Sequence, residues 1–204
     1  MDHRPDDTED YMGFTIELWT DEHAEDPRQC DNLGKMVCSH RRYKLGDKHS
    51  LSVGDIQELT ERNDVLWLPL YLYDHSGITM RTSSFGDPWD SGQVGVIYVD
   101  HATIREEYGC VTKGTKAKAL SVLQAEVDIY DAYITGSVVG YIVKDERGEQ
   151  LDSCWGFYIR SSRSSHRQND KKYVLGEARS YIDHTLKERA EETAHVEQFF
   201  NLNS

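Results

Sequence analysis

The chain predicts an α+β fold: a mostly antiparallel sheet with two to four helices in a single domain. Three observations carry this. Strand-like and helix-like segments mix without the regular alternation that a parallel sheet needs. Residues 138–159 read as a hairpin, with strand runs at 138–144 and 150–159 around the turn Asp145-Glu146-Arg147-Gly148. A second strand pair, residues 67–73 and 93–99, is rich in Val, Ile, Leu, Tyr and Trp, which suit a pleated, half-buried surface.

Taken in order, residues 1–12 are acidic and read as a mobile tail. Residues 14–19 alternate well enough for a first strand. Residues 21–32, which include Pro27, read as loop, and residues 34–39 as a short second strand. Ser52 or Gly54 opens a helix through Ile56 and Leu59 to about Arg62. After the central strand pair, Asp100 caps a short helix that Gly109 closes. The clearest helix covers residues 116–134, with Leu120, Leu123, Val127 and Tyr130 on one stripe and Gly136 as its stop. Residues 161–173 read as a polar basic loop, and residues 174–204 as a C-terminal helix that becomes charged after Lys187. The core domain is thus expected at 13–160.

Composition narrows the class. At 204 residues the chain can bury a sizeable core, and its hydrophobic runs are far shorter than the roughly 20 residues of a membrane helix. The N-terminus lacks a basic-then-apolar leader, so a cytosolic location, in a host cell, is expected. The net charge is −13, and residues 1–31 hold eleven Asp or Glu against two Arg. Such a balance argues against direct binding to nucleic acid and leaves solubility, salt adaptation or mimicry of nucleic acid as its use. Cys30, Cys38, Cys110 and Cys154 lie too far apart for a CxxC pattern, so free thiols are expected.

Three segments carry candidate chemistry. In DHSG, Asp74 to Gly77, an Asp-His pair stands beside a Ser, but adjacent residues on an extended chain point apart. A tight turn with Gly77 at positive φ is the commoner reading. In PWDSGQVG, residues 88–95, Trp89 offers a stacking face, Asp90, Ser91 and Gln93 offer hydrogen bonds, and Gly92 permits close approach. These are the parts of a nucleobase or ribose pocket, and equally of an ordinary loop with a Trp plug. In HRRY, residues 40–43, Arg41 and Arg42 beside His40 and Tyr43 suit phosphate or carboxylate. Pairing with the acidic N-terminal region is the plainer alternative. His40/His49 and Asp87/Asp90 lack the spacing of known metal ligands, and no phosphate-binding glycine loop occurs, so neither metal nor cofactor is expected.

The stretches DNLGKMVCSHRRYKLGDKH, LPLYLYDHSGITM, PWDSGQVGVIYV, EVDIYDAYITGSVVGYIV and LDSCWGFY resemble a family of small proteins of phages, prophages and plasmids, generally described as hypothetical. The resemblance covers residues 14–158. It implies a setting, an accessory gene of a mobile element, and brings no catalytic residues with it.

Three functions follow as expectations. The first is a non-enzymatic protein that counters host defence by binding. It would mask a host immune protein or sequester a small nucleotide signal, with Arg41, Arg42, Tyr43, Asp74, His75, Trp89, Asp90 and Gln93 as contacts. The second is an enzyme acting on a nucleotide or nucleic acid. There His75 is the acid or base, and Asp74 or Asp90 orients it or holds a metal. The third is a structural or regulatory component of the element, a homo-oligomer built through the C-terminal helix.

Overall fold

The computed structural model describes residues 4–160 and 164–202. Their elements follow as β1 (Asp7–Tyr11), β2 (Phe14–Thr20), β3 (Lys35–Cys38), α1 (Val53–Glu61), β4 (Val65–Asp74) and β5 (Ile78–Arg81). Then come β6 (Ser91–Asp100), α2 (His101–Tyr108), α3 (Lys113–Ile134), β7 (Val138–Lys144), β8 (Gln150–Tyr158) and α4 (Ser164–Leu202). The class is α+β, as expected, and every strand pairing is antiparallel. The strands divide between two four-stranded sheets, each in its own compact unit.

One unit comprises residues 25–137, with residue 160. Its sheet runs β3-β6-β4-β5. The helix α3 covers one face, where Ala119, Leu123, Val127 and Tyr130 pack on Met36, Leu70, Leu72, Met80 and Ile97. Ile56 and Leu59 of α1 cover part of the other, against Val37, Val65 and Val96. The Ser52 hydroxyl accepts the Asp55 N–H and the Asp55 carboxylate accepts the Ser52 N–H, which explains why α1 starts there. Gly109 closes α2 in the left-handed region at φ 77°. Between Leu70↔Gly95 and Tyr71↔Gln93 the register slips, leaving Val94 as the extra residue of a β-bulge. Gly95 is needed here, because a Cβ would fall 2.0 Å from the Val37 carbonyl oxygen.

A buried cation organises the loops beneath this sheet. Arg28, its side chain only 2% exposed, grips Asp47 through Nε and Nη2 at 2.8 Å each. It also donates to Glu126 at 2.9 Å and to the Gly34 carbonyl at 2.6 Å. The carboxylates are satisfied in turn: Asp47 accepts the Met36 N–H, and Glu126 those of Leu33 and Gly34. A buried charge persists only with such a complete shell. The segment expected to be loop is therefore pinned, with a 3-10 turn at Pro27–Gln29.

The other unit comprises residues 4–24, 138–159 and 164–202 of the described chain. Its sheet runs β1-β2-β7-β8. Phe14, Ile16 and Leu18 alternate onto the inner face with Tyr141 and Val143, and α4 lays Val174, Ala178 and Ile182 across them at helical spacing. Two expectations need correction here. Residues 7–11 of the supposed mobile tail form β1, turned onto β2 through Met12 at φ 53° and Gly13 at φ 85°. An edge strand needs no apolar face, and its acids find cations on α4: Glu9 with Arg179 at 2.6 Å, Asp7 with Lys171 at 3.6 Å. The supposed polar loop is likewise helical from Ser164 onward, while residues 161–163 lie outside the described residues. Polar turns extend a helix readily once the adjoining turns are packed. From Lys187 to Gln198 every side chain is exposed.

Candidate functional site

Antiparallel pairing brings the C-terminal ends of β3 and β4 to the N-terminal end of β6. Three loops separated in sequence, 39–43, 75–77 and 82–90, consequently leave the sheet at one end. The Asp74 N–H donates to the Asp90 carbonyl at 2.8 Å, tying the second loop to the third.

The first loop folds on itself. His40 Nδ1 accepts the Arg42 and Tyr43 N–H groups at 3.3 Å, and its ring stacks on Tyr43 with centroids 5.1 Å apart. The Arg42 guanidinium donates to the Tyr43 hydroxyl at 3.0 Å and to the Asp74 carboxylate, and the hydroxyl passes its own proton toward Asp74 at 3.1 Å. The Tyr43 hydroxyl and then the Asp74 charge hold the Arg42 pKa above its ordinary value. Arg42 is well exposed, so the pair contributes orientation more than stability. Arg41 is exposed and makes no hydrogen bond or ion pair among the described residues.

The second loop is a tight turn. Ser76 at φ 59° and Gly77 at φ 152° reverse the chain between β4 and β5, and the His75 N–H donates to the Gly77 carbonyl at 3.1 Å. Behind it, Asp131 of α3 accepts the Thr79 hydroxyl and the Met80 N–H, both at 2.7 Å, which fixes β5. His75 Nδ1 lies 2.9 Å from Asp90 Oδ2. A carboxylate only accepts, so Nδ1 carries the proton in this contact.

The third loop holds its tryptophan on an Asx turn. Asp87 Oδ1 accepts the Trp89 N–H at 2.9 Å and the Asp90 N–H at 3.2 Å, and these bonds hold its carboxyl below the usual carboxylate range. The Ser91 hydroxyl donates to the Asp87 carbonyl. The Trp89 side chain, 92% exposed, stands out from this turn.

The first and third loops, with the adjoining ends of β4 and β6, enclose a cleft of about 520 Å³, a usual size for a small-molecule site. Arg41, Arg42, Asp74, Trp89, Asp90 and Gln93 line it. Tyr43 and His75 do not line it but are bonded to Asp74 and Asp90, which do. All eight residues marked in the sequence thus meet at one place. One detail differs from the plainer alternative: among the described residues Arg42 pairs with Asp74, whose carboxylate also accepts the Tyr43 hydroxyl, and with no N-terminal acid. Gln93 turns back on the sheet, donating to the Gly95 carbonyl at 3.3 Å.

A second cleft of about 480 Å³ shares Ser39, Gln93 and Val94 with the first. Its remaining walls come from α1 and the middle of the sheet, including Val53, Gln57, Thr60 and Trp67. Nothing in the sequence marks these residues, which look like an ordinary amphipathic helix and strand. Cys38 adjoins both clefts in sequence, and burial pushes its thiol pKa up to about 12. Among the described residues no three His, Cys, Asp or Glu side chains converge on a metal-sized point, and no helix is long and apolar enough to cross a membrane.

Comparison with protein-family models, with curated proteins and with solved structures finds no match for the chain.

Proposed function

We propose that the chain is a binding protein for a small nucleotide, and that it serves a mobile element by sequestering a nucleotide signal of host defence. The observation that carries this reading is Trp89, 92% exposed on a turn fixed by Asp87, beside an Arg41 that has no ion-pair partner among the described residues. An indole held in water forgoes a burial gain of roughly 1.5–3 kcal/mol, and stacking a base on it would recover a similar amount. Arg41 supplies a fork for a phosphate, while Asp74 and Asp90 supply acceptors for an exocyclic amine or a ribose hydroxyl. The acidic surface supports the other form of the reading, the masking of a basic host protein, only in a general way.

Titration of the protein with AMP, GMP, CMP and UMP, followed by calorimetry, tests the proposal. At least one should bind, and Trp89→Ala should weaken it about tenfold or more while the melting temperature stays put. Absence of binding by all four at millimolar concentration would remove the nucleotide reading.

The Asp90–His75 pair favours a second reading, an enzyme on the same ligand class. An imidazole with Nδ1–H on a carboxylate is arranged as a general base. Incubating the same nucleotides with the protein and separating the products by chromatography decides it. Turnover lost in His75→Ala supports catalysis, and unaltered nucleotides support binding alone.

A further inference from the structure

The second cleft differs from the first in chemistry. No charged side chain lines it, and it offers an aromatic ring with a few uncharged hydrogen-bonding groups, Ser39, Gln57, Thr60 and Gln93. Trp67 is locked in place because its Nε1–H donates to the Thr60 carbonyl at 3.1 Å, yet it remains 36% exposed. A ring whose only polar atom is satisfied by the protein presents a fixed apolar face, which loses little entropy on binding. Val53, at the first position of α1 and 68% exposed, borders the same space. Each cleft therefore has its own tryptophan, and Ser39, Gln93 and Val94 form the saddle between them. The bulge at Val94 breaks the strand pairing at this saddle.

Building on the nucleotide reading above, we infer that the second cleft is a subsite for a second nucleobase, so that the preferred ligand is a dinucleotide. One base stacks on Trp89, the other on Trp67, and the phosphodiester crosses the saddle near Ser39 and Arg41. Charge selects a single bridging phosphate. Arg42 is committed to Asp74 and Asp90 is bonded to His75, which leaves Arg41 as the uncommitted cation among the described residues lining the two clefts. A single phosphodiester charge matches one guanidinium. A polyphosphate chain would bring several charges against Asp74 and Asp90.

The test compares the dinucleoside monophosphates ApA, GpG, CpC and UpU with the matched mononucleotides by calorimetry on the full chain. In the native protein the best dinucleotide should bind about tenfold tighter than its mononucleotide. Val53→Glu keeps a good helix-start residue and projects a carboxylate into the second cleft. It should bring the dinucleotide to within roughly threefold of the mononucleotide and leave the mononucleotide unchanged. Trp67→Ala should do the same, and Trp89→Ala should weaken both ligands. Mononucleotide binding with no dinucleotide advantage would overturn the second subsite alone. An advantage that survives Val53→Glu, or that is matched by a short unstructured peptide, would overturn it too. If no nucleotide of either kind binds, this inference and the nucleotide reading fall together.

Discussion

Arg28 shows how much one side chain can decide. Its partners stand 19 and 98 residues away in sequence, at Asp47 and Glu126, and both carboxylates also hold backbone N–H groups. Arg28→Ala would leave two carboxylates facing each other in a half-buried space and should cost about 3–5 kcal/mol, read as a lowered urea midpoint. A midpoint within error of the native one would mean that water replaces the guanidinium without loss. Cys38 offers a second check. Its raised pKa keeps the thiolate scarce at every pH up to about 10, so it should react with a thiol reagent far more slowly than the exposed Cys30, Cys110 and Cys154. Four equally fast thiols at pH 8 would contradict the burial. Neither role was legible in the chain. Arg28 looks like one of two cations in an acidic stretch, and its partners follow from folding, not from spacing. Trp89, Asp90, Asp74 and the HRRY cluster were legible, because residue types that rarely share a loop stood out within a few positions.

Among the elements, β6 does most to join scaffold to site. It pairs with both β3 and β4, carries the bulge, and delivers Ser91 and Gln93 to the cleft. Its two glycines have opposite requirements. A Cβ at Gly95 would meet the Val37 carbonyl at 2.0 Å, a backbone atom that cannot step aside, whereas a Cβ at Gly92 would meet nothing within 4 Å. Gly95→Ala should therefore destabilise by about 1–3 kcal/mol or more, and Gly92→Ala by less than about 0.5 kcal/mol, compared by thermal melting. Equal melting temperatures would show that the strands separate slightly at no cost. Helices α2 and α3, the central strands and the 138–158 hairpin were legible because periodicity and caps are local signals. The four-residue β5 was not: Ile78 to Arg81 became a strand through the preceding turn and through Asp131 of α3. The same limit hid β1, whose acids read as a solvated tail until α4 supplies the cations.

For the whole molecule the net charge of −13 is the dominant long-range term. Repulsion among these charges opposes folding, and salt screens it over roughly 10 Å at 0.1 M. Raising sodium chloride from about 0.02 to 0.5 M should therefore raise the melting temperature. A fall would show that exposed ion pairs such as Glu9–Arg179 outweigh the general repulsion. The division into two sheets was the least legible feature. Which strand pairs with which depends on contacts across the chain, and β2 pairs with β7 from the far side of residues 25–137. That interruption has a consequence for synthesis. As the polypeptide leaves the ribosome, β1 and β2 emerge first and can pair only with each other until β7 follows about 120 residues later. At roughly 5–20 residues per second the wait is on the order of ten seconds. The intervening residues hold every strand of their own sheet and can fold during that wait. The acidic hairpin meanwhile stays unsheltered, and its density of Asp and Glu, four of five residues from Asp6 to Asp10, guards that exposed edge against the nascent chains of neighbouring ribosomes.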